Sequence, residues 1–534
     1  MSSVLRSSLA FVMFLLAVVL TSCVPNKPYR TADYDADRAA PELKYKNEKP
    51  DVQCRSKAEA PSLCRQNSQE GAAYDLAFIE FDDMGEFWTI GNLNYCPPGS
   101  EQTPKCINTK NTQLDHAIEL VEQRKKESRP VTVITFIHGW KNNSSPHDED
   151  NDKSLGGFKN WLAELAGQNP KTAYVGVFVA WRGQSIPGDT FLSYWSRRDA
   201  AMRVGRASMT EALLRLMFAT KVPVVPTIDN QCGKESPTSE SKLIIIGHSF
   251  GGRILERALS QPMMALLLER RAEADACRRE WNEKPDNKQR QLGTLQFQTP
   301  ADLIVLINTA NDSFETKAII EGMKRMNLRI GPITSTGSFF DSPPFVISIL
   351  SAGDSATTKL MPFAQAIAAP SQSYNRNYDR DAVSEGQVSS PNEEKPLKQS
   401  YFYYHNDAKV AQFVTHNVSQ LSSAIEPPST GGVAAVVPAA QAPNHDPGCF
   451  GIQEPRNSFC FSVLRPGHKD YYAAVASNTA SGKGLNNNTP FWVINVPSSI
   501  IPNHSDIFQP GTNALLSAIL RLQDTMAHTH MEAQ

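Results

Sequence analysis

Leu243-Ile244-Ile245-Ile246-Gly247-His248-Ser249-Phe250-Gly251 is an apolar run that ends in a Gly-x-Ser-x-Gly turn, and the residues after it, Gly252 to Leu259, have helical spacing. A buried strand passing straight into a helix through such a turn holds its serine on a sharp, strained corner. The glycines remove side chains that would collide as strand and helix converge. The pentapeptide alone is short enough to recur by chance, and it is the strand before and the helix after that make it specific. Ser249 is therefore the candidate nucleophile, set against the plainer reading of a glycine-rich structural turn.

The other apolar runs, Val131 to Ile137, Ala173 to Ala180, Leu303 to Ile307, Phe345 to Leu350 and Phe491 to Val496, are continuous rather than alternating. Strands buried on both faces read this way, and most of the intervals suit crossover connections. The chain is expected to be α/β, a doubly wound and mostly parallel sheet. Ala77 to Phe81, the turn Asp82-Asp83-Met84-Gly85 and Glu86 to Ile90 read as a hairpin, and residues 113–127 as a helix with Leu114, Ile118, Leu120 and Val121 on one side. Residues 266–300 read as a charged helix followed by a polar loop. Residues 366–448 include Pro427-Pro428-Ser429-Thr430-Gly431-Gly432 and the Ala/Val/Pro-rich Val433 to Pro443, and read as a low-complexity loop. Its aromatic cluster, Tyr401 to Tyr404 with His405, is suited to packing on the core or covering a site.

Ligands in such sheets bind outside the carboxyl ends of the strands, so the residues after each run are the ones to search. A serine hydroxyl needs a base within hydrogen-bonding reach and an acid to orient that base. Asp354 follows the run ending at Leu350 and is the preferred acid over Asp312, which follows the run ending at Ile307. His504, after the last run, is the preferred base. Its rivals are His405 and His416 in the insertion and His528 and His530 near the C-terminus. His248, inside the turn, reads as packing beside the serine.

His138-Gly139-Trp140, Gly247 to Gly251, Asp354 and His504-Ser505-Asp506 together resemble the α/β-hydrolase superfamily, serine esterase and lipase branch. Val179-Ala180-Trp181-Arg182-Gly183 and Phe491 to Ile507 are similar to a group of bacterial and fungal members. The resemblance covers roughly residues 75–365 and 488–525. It implies the order serine, acid, histidine along the chain, and an oxyanion hole made by the amides of Phe250 and Trp140. The implied activity is hydrolysis of a carboxylic ester through an acyl-serine intermediate, with no cofactor and no metal. Thioesterase or amidase chemistry fits the same residues, and a non-catalytic envelope lipoprotein that uses the fold for binding is the alternative of a different class. Serine at the turn argues against dehalogenase and epoxide-hydrolase chemistry, which uses a carboxylate nucleophile. Trp140, Trp181, Phe191 and Tyr194 are candidates for an apolar acyl site, or equally for core. The insertion before the last strand and the cysteine content depart from the family pattern.

At the N-terminus, Arg6 and the apolar stretch Leu9 to Leu20 read as a secretory signal, too short to span a bilayer, which needs about 20 residues. Leu20-Thr21-Ser22-Cys23 resembles the lipobox of bacterial lipoproteins, implying lipid attachment at Cys23. Val24 in place of aspartate implies, by the same resemblance, the outer membrane. Of nine cysteines, the eight beyond Cys23 suit disulfides in an exported chain. Near-neighbour spacing suggests Cys54/Cys64, Cys96/Cys106 and Cys449/Cys460, with Cys232/Cys277 as the remainder, among on the order of a hundred possible pairings. The net charge of −2 implies no overall attraction to nucleic acid. The acidic stretch His147 to Asp152 lacks the spacing of a calcium loop. The expected organisation is a signal peptide at 1–22, a tether at 23–72, a core at 73–365, an insertion at 366–487, and the last strand with a C-terminal helix at 488–534. The expected partners are a small-molecule or lipid ester and, through the anchor, a membrane.

Overall fold

The structure is a computed structural model describing residues 28–29, 63–67, 73–88, 113–127, 129–144, 154–185, 193–221, 241–283, 301–310, 316, 319–320, 322–323, 344–356, 415–425, 459–465, 468–476 and 490–532. Over these residues the chain is an α/β protein whose strand pairings are mostly parallel. It divides into two compact units, Met1–Ala219 with Arg253–Ala258, and Thr220–Gly252 with Leu259–Gln534.

In the first unit, β1 (Leu63–Asn67), β2 (Ala73–Glu80), β3 (Val131–Ile137) and β4 (Ala173–Ala180) lie in the order β1-β2-β4-β3. β2 and β3 each pair parallel with β4, and β1 pairs antiparallel with β2. Parallel neighbours need crossovers, which α1 (Gln113–Lys125) and α2 (Ser154–Gln168) provide. α3 (Tyr194–Val204) and α4 (Ala207–Thr220) follow. β3 and β4 are buried along their whole length, as their largely apolar sequences favour, with Thr132 and Thr135 buried in β3 among its apolar residues. α1 buries Leu114, Ala117, Leu120 and Val121, with Asp115 in its first turn and Arg124 and Lys125 in its last, matching the helix dipole. An aromatic cluster lies in the core: Phe136 is 5.4 Å from Phe158 and 5.8 Å from Phe178 between ring centroids, and Phe178 is 6.0 Å from Phe78.

Two expectations shift here. The turn at Asp82 closes through Asp82 N to Glu86 O (3.0 Å) and Gly85 N to Asp82 O (3.1 Å), but among the described residues the hairpin partner is a single bridge, Phe81 to Phe87. Within the stretch read as a tether, β1 adds a strand to β2, and Tyr29 N donates to Glu80 Oε1 (2.9 Å).

In the second unit, β5 (Lys242–His248), β6 (Leu303–Ile307), β7 (Val346–Ser351), β8 (His416–Ile425), β9 (Phe459–Arg465), β10 (His468–Ala476) and β11 (Phe491–Val496) take the order β5-β6-β7-β11-β8-β10-β9. Pairing is parallel from β5 to β8 and antiparallel from β8 through β10 to β9. α5 (Phe250–Glu283) starts at the turn and runs on through the charged segment, with Pro262 inside it. α6 (Pro510–Glu532) packs against β9.

β8, β9 and β10 all fall within residues 366–487. β8 pairs with β11 at His416 opposite Ile494 and Asn417 opposite Asn495, and just before it Thr415 extends the join: its amide donates to Val493 O (2.9 Å) and its Oγ1 accepts from Val493 N (2.8 Å). β9 buries alternate residues Phe459, Phe461 and Val463, and Phe461 stacks on Tyr472 of β10 at 5.6 Å. Cys460 is disulfide-bonded. The other cysteine side chains, Cys23, Asp312, Phe191, Tyr401 to Tyr404 and His405 lie outside the described residues.

Candidate active site

Ser249 ends β5 and opens α5, and its φ of +56° is a left-handed value that costs an ordinary side chain about 1–3 kcal/mol. Packing enforces it. A Cβ on Gly247 would stand 2.7 Å from Gly252 Cα, and one on Gly252 would stand 2.3 Å from Thr309 Oγ1, so strand, helix and the loop after β6 close on one another only through glycine. Ser249 N donates to Ile307 O (3.1 Å) and Ala310 N donates to Ser249 O (3.1 Å), which pins the corner to the end of β6.

Two further strand ends meet this corner. Past β7 the chain turns back through Ala352 N to Val496 O (3.0 Å) and Asp354 N to Ser351 O (3.2 Å). Asp354 is 1% exposed, and its Oδ1 accepts from Ala356 N (2.9 Å). Past β11 the chain winds through a turn closed by Ile500 N to Pro497 O (3.0 Å) and reaches His504. Asn503 Nδ2 donates to Asp506 Oδ2 (2.6 Å), and Thr512 Oγ1 at the start of α6 donates to Asp506 O (3.2 Å), so the loop is braced on its far side.

His504 Nε2 lies 2.7 Å from Ser249 Oγ, and its Nδ1 lies 2.9 Å from Asp354 Oδ1. A carboxylate only accepts, so Nδ1 carries the proton and the Nε2 lone pair faces the serine hydroxyl. Ser249 is 3% exposed while the His504 side chain is 19% exposed, so the imidazole is the group of the three most open to solvent. The N-terminus of α5 sets the Phe250 amide next to the serine, at the end of the helix where negative charge is favoured.

The structure thus brings together three of the residues expected from sequence, Ser249, Asp354 and His504, with Phe250 adjacent. His416, a rival base, is instead fully buried in β8, its ring 4.2 Å from that of Trp492 and its Nδ1 2.8 Å from Thr415 Oγ1. Trp140 belongs to the first unit. There its indole Nε1 donates to Ser193 Oγ (3.4 Å), its ring meets Tyr194 edge-on at 5.7 Å, and Lys141 Nζ sits 4.7 Å over it.

Beside Trp140, His138 locks two strand ends together. Trp181 N donates to His138 Nε2 (3.1 Å), Trp181 Nε1 donates to His138 O (3.0 Å), and the rings stack at 5.9 Å. Burial pushes the His138 imidazole down to about 4, only partly offset by its bonds to Gly139 and Trp181, so it is neutral at physiological pH and serves as an acceptor.

Two contacts at the site were not foreseen from sequence, where His248 read only as packing beside the serine and Asn308 was not singled out. His248 Nε2 donates to the His504 carbonyl (2.8 Å), and its ring lies 5.0 Å from that of His504. Asn308, just past β6, donates from Nδ2 to the same carbonyl (3.4 Å) and accepts Ser351 N at Oδ1 (3.0 Å). The signal was available for Asn308: it follows a strand end, and asparagine is the side-chain-bearing residue that best tolerates the left-handed φ, +45°, found there. No family model, curated protein or solved structure matches this chain.

Proposed function

We propose that this chain is a serine hydrolase of the α/β-hydrolase fold that cleaves a carboxylic ester. The observation that carries the reading is the imidazole of His504 spanning Ser249 Oγ at 2.7 Å and Asp354 Oδ1 at 2.9 Å. Supporting it are the left-handed serine at the strand-to-helix corner and the derivation of all three side chains from carboxyl ends of parallel strands.

In this mechanism Ser249 Oγ attacks the ester carbonyl carbon as its proton passes to His504 Nε2, and Asp354 stabilises the imidazolium that forms. The negative charge that collects on the former carbonyl oxygen is met by the Phe250 N–H. Collapse breaks the bond to the alkoxy oxygen, which leaves as the alcohol with the proton from His504. A water, deprotonated by His504, then attacks the acyl-serine, and the carboxylic acid departs as Ser249 recovers its proton. No step calls on a cofactor. We also propose, from the sequence at Leu20 to Cys23, that the enzyme is lipid-anchored in a bacterial envelope.

Ser249→Ala tests the reading. It should lower hydrolysis of p-nitrophenyl esters by at least about 1,000-fold and abolish labelling by a fluorophosphonate, while leaving the thermal unfolding midpoint near that of the parent. Undiminished turnover in that variant would reject it.

A further inference from the structure

We propose that His248 and Asn308 are positioning residues that hold the catalytic histidine through its own main chain, an inference that rests on the hydrolase reading above. His504 arrives on a loop, and a loop without anchors leaves its side chain free to wander: small rotations about the backbone carry Nε2 out of line with Ser249 Oγ. Two donors converge on the His504 carbonyl, His248 Nε2 at 2.8 Å and Asn308 Nδ2 at 3.4 Å.

Each donor is itself fixed by the chain segment that carries a different part of the site. His248 is the residue before the nucleophile, is 2% exposed, and closes β5, so its bond ties the base loop to the corner that presents Ser249. Asn308 is 2% exposed and spends its other side-chain atom, Oδ1, on Ser351 N, the residue from which the Asp354 turn departs. Its own amide donates to Ile349 O (3.0 Å), anchoring it to β7 as well. One carbonyl is therefore tied to the serine through His248 and to the acid through Asn308. Among the described residues of this unit, the two non-glycine residues with left-handed backbone, Ser249 and Asn308, are the nucleophile and one of these donors, which is where stored backbone strain is expected to serve function.

Neither residue touches the reacting atoms, so their loss should fall on turnover. His248→Phe keeps an aromatic ring and removes the donor; Asn308→Asp keeps the acceptor for Ser351 N and the tolerance of a left-handed φ, and removes the donor. Each should lower kcat by about 10- to 100-fold with KM changed less than about threefold. His248→Gln, which returns an N–H near the position of Nε2, should recover most of the loss. The intact chain, the three variants and Ser249→Ala are compared with a p-nitrophenyl ester, with thermal midpoints measured alongside. Parental kcat in both donor-deleting variants, a loss confined to KM, or a loss that tracks the thermal midpoint and is not recovered by glutamine overturns the positioning role while leaving the hydrolase intact. An intact chain that turns over no ester and labels with no fluorophosphonate overturns the hydrolase reading itself, and the positioning role with it.

Discussion

Gly353 stands between Asp354 and the loop that carries His504: a Cβ there would lie 2.2 Å from the Pro502 carbonyl oxygen and 2.9 Å from that of Ile501. Both contacts are backbone, so no side-chain rotation relieves them. The turn is also tied to this loop from within, since Ser351 Oγ donates to Ile501 O (2.5 Å) and accepts from Gly353 N (3.0 Å). Gly353→Ala should therefore push the Asp354 turn away from the His504 loop and lower kcat about 100-fold, the loss typical of a displacement near 1 Å at a reacting group. Steady-state kinetics on a folded variant check this, and parental kcat would show that the turn and loop can part without disturbing the imidazole. The close approach comes from backbone to backbone across a sheet, so nothing in the local sequence Ser351-Ala352-Gly353-Asp354 distinguishes this glycine from one serving an ordinary turn.

At the strand ends of the first unit, burial makes one contribution to stability depend on pH. His138 closes β3 and accepts the Trp181 amide just past β4 with a ring that burial keeps neutral, its value lowered to about 4 from 6.5. In the unfolded chain the same imidazole takes up a proton near 6.5, so between these values the unfolded state binds more protons and stability falls as pH falls. The contribution is fully present above about 6.5, declines as pH drops toward 4, and amounts to about 3 kcal/mol. His138→Gln, which keeps an acceptor and does not titrate, should flatten the pH dependence of the urea midpoint between 6.5 and 4 relative to the parent; equal slopes would reject the assignment. Elements buried on both faces were also the ones legible in sequence: β3, β4, β6 and β11 coincide with their apolar runs because almost no residue in them faces water. β8, His-Asn-Val-Ser-Gln-Leu-Ser-Ser-Ala-Ile, was not, since Asn417, Ser419, Gln420 and Leu421 are exposed and no continuous apolar run marks it. β9 did carry a period of two in Phe459, Phe461 and Val463, a signal outweighed by the low-complexity residues that precede it. The site divides the same way. Ser249, Asp354 and His504 follow from strand ends and the chemistry of a serine nucleophile, whereas the bond from His248 to the distant His504 carbonyl depends on the fold.

Attachment through the proposed lipid anchor would be a property of the chain as a whole, because an anchor acts through one residue and would position the folded body by the length of chain between them. Cys23 is six positions before Tyr29, whose amide donates to Glu80 Oε1 on β2 (2.9 Å). Glu80 is buried, and its other partners, Gln113 Nε2 (2.9 Å) and the Ser144 hydroxyl, fix it within the first unit. Six extended residues reach at most about 20 Å, so lipid on Cys23 would hold this unit close to the bilayer surface instead of at the end of a long free tether. On this proposal attachment would depend on the thiol, since no lipid can be joined to the cysteine sulfur once it is gone, and no polybasic stretch near Cys23 offers a second membrane signal. Cys23→Ser should move the protein from the membrane fraction to the soluble fraction after cell lysis, while the parent stays with membranes through a high-salt wash and is released by detergent. Fluorophosphonate labelling of Ser249 should be equal in the two, because the proposed anchor would position the folded body without entering the proposed chemistry. A serine variant that still pellets with salt-washed membranes would reject the lipid anchor and require an apolar surface of the folded body to take its place.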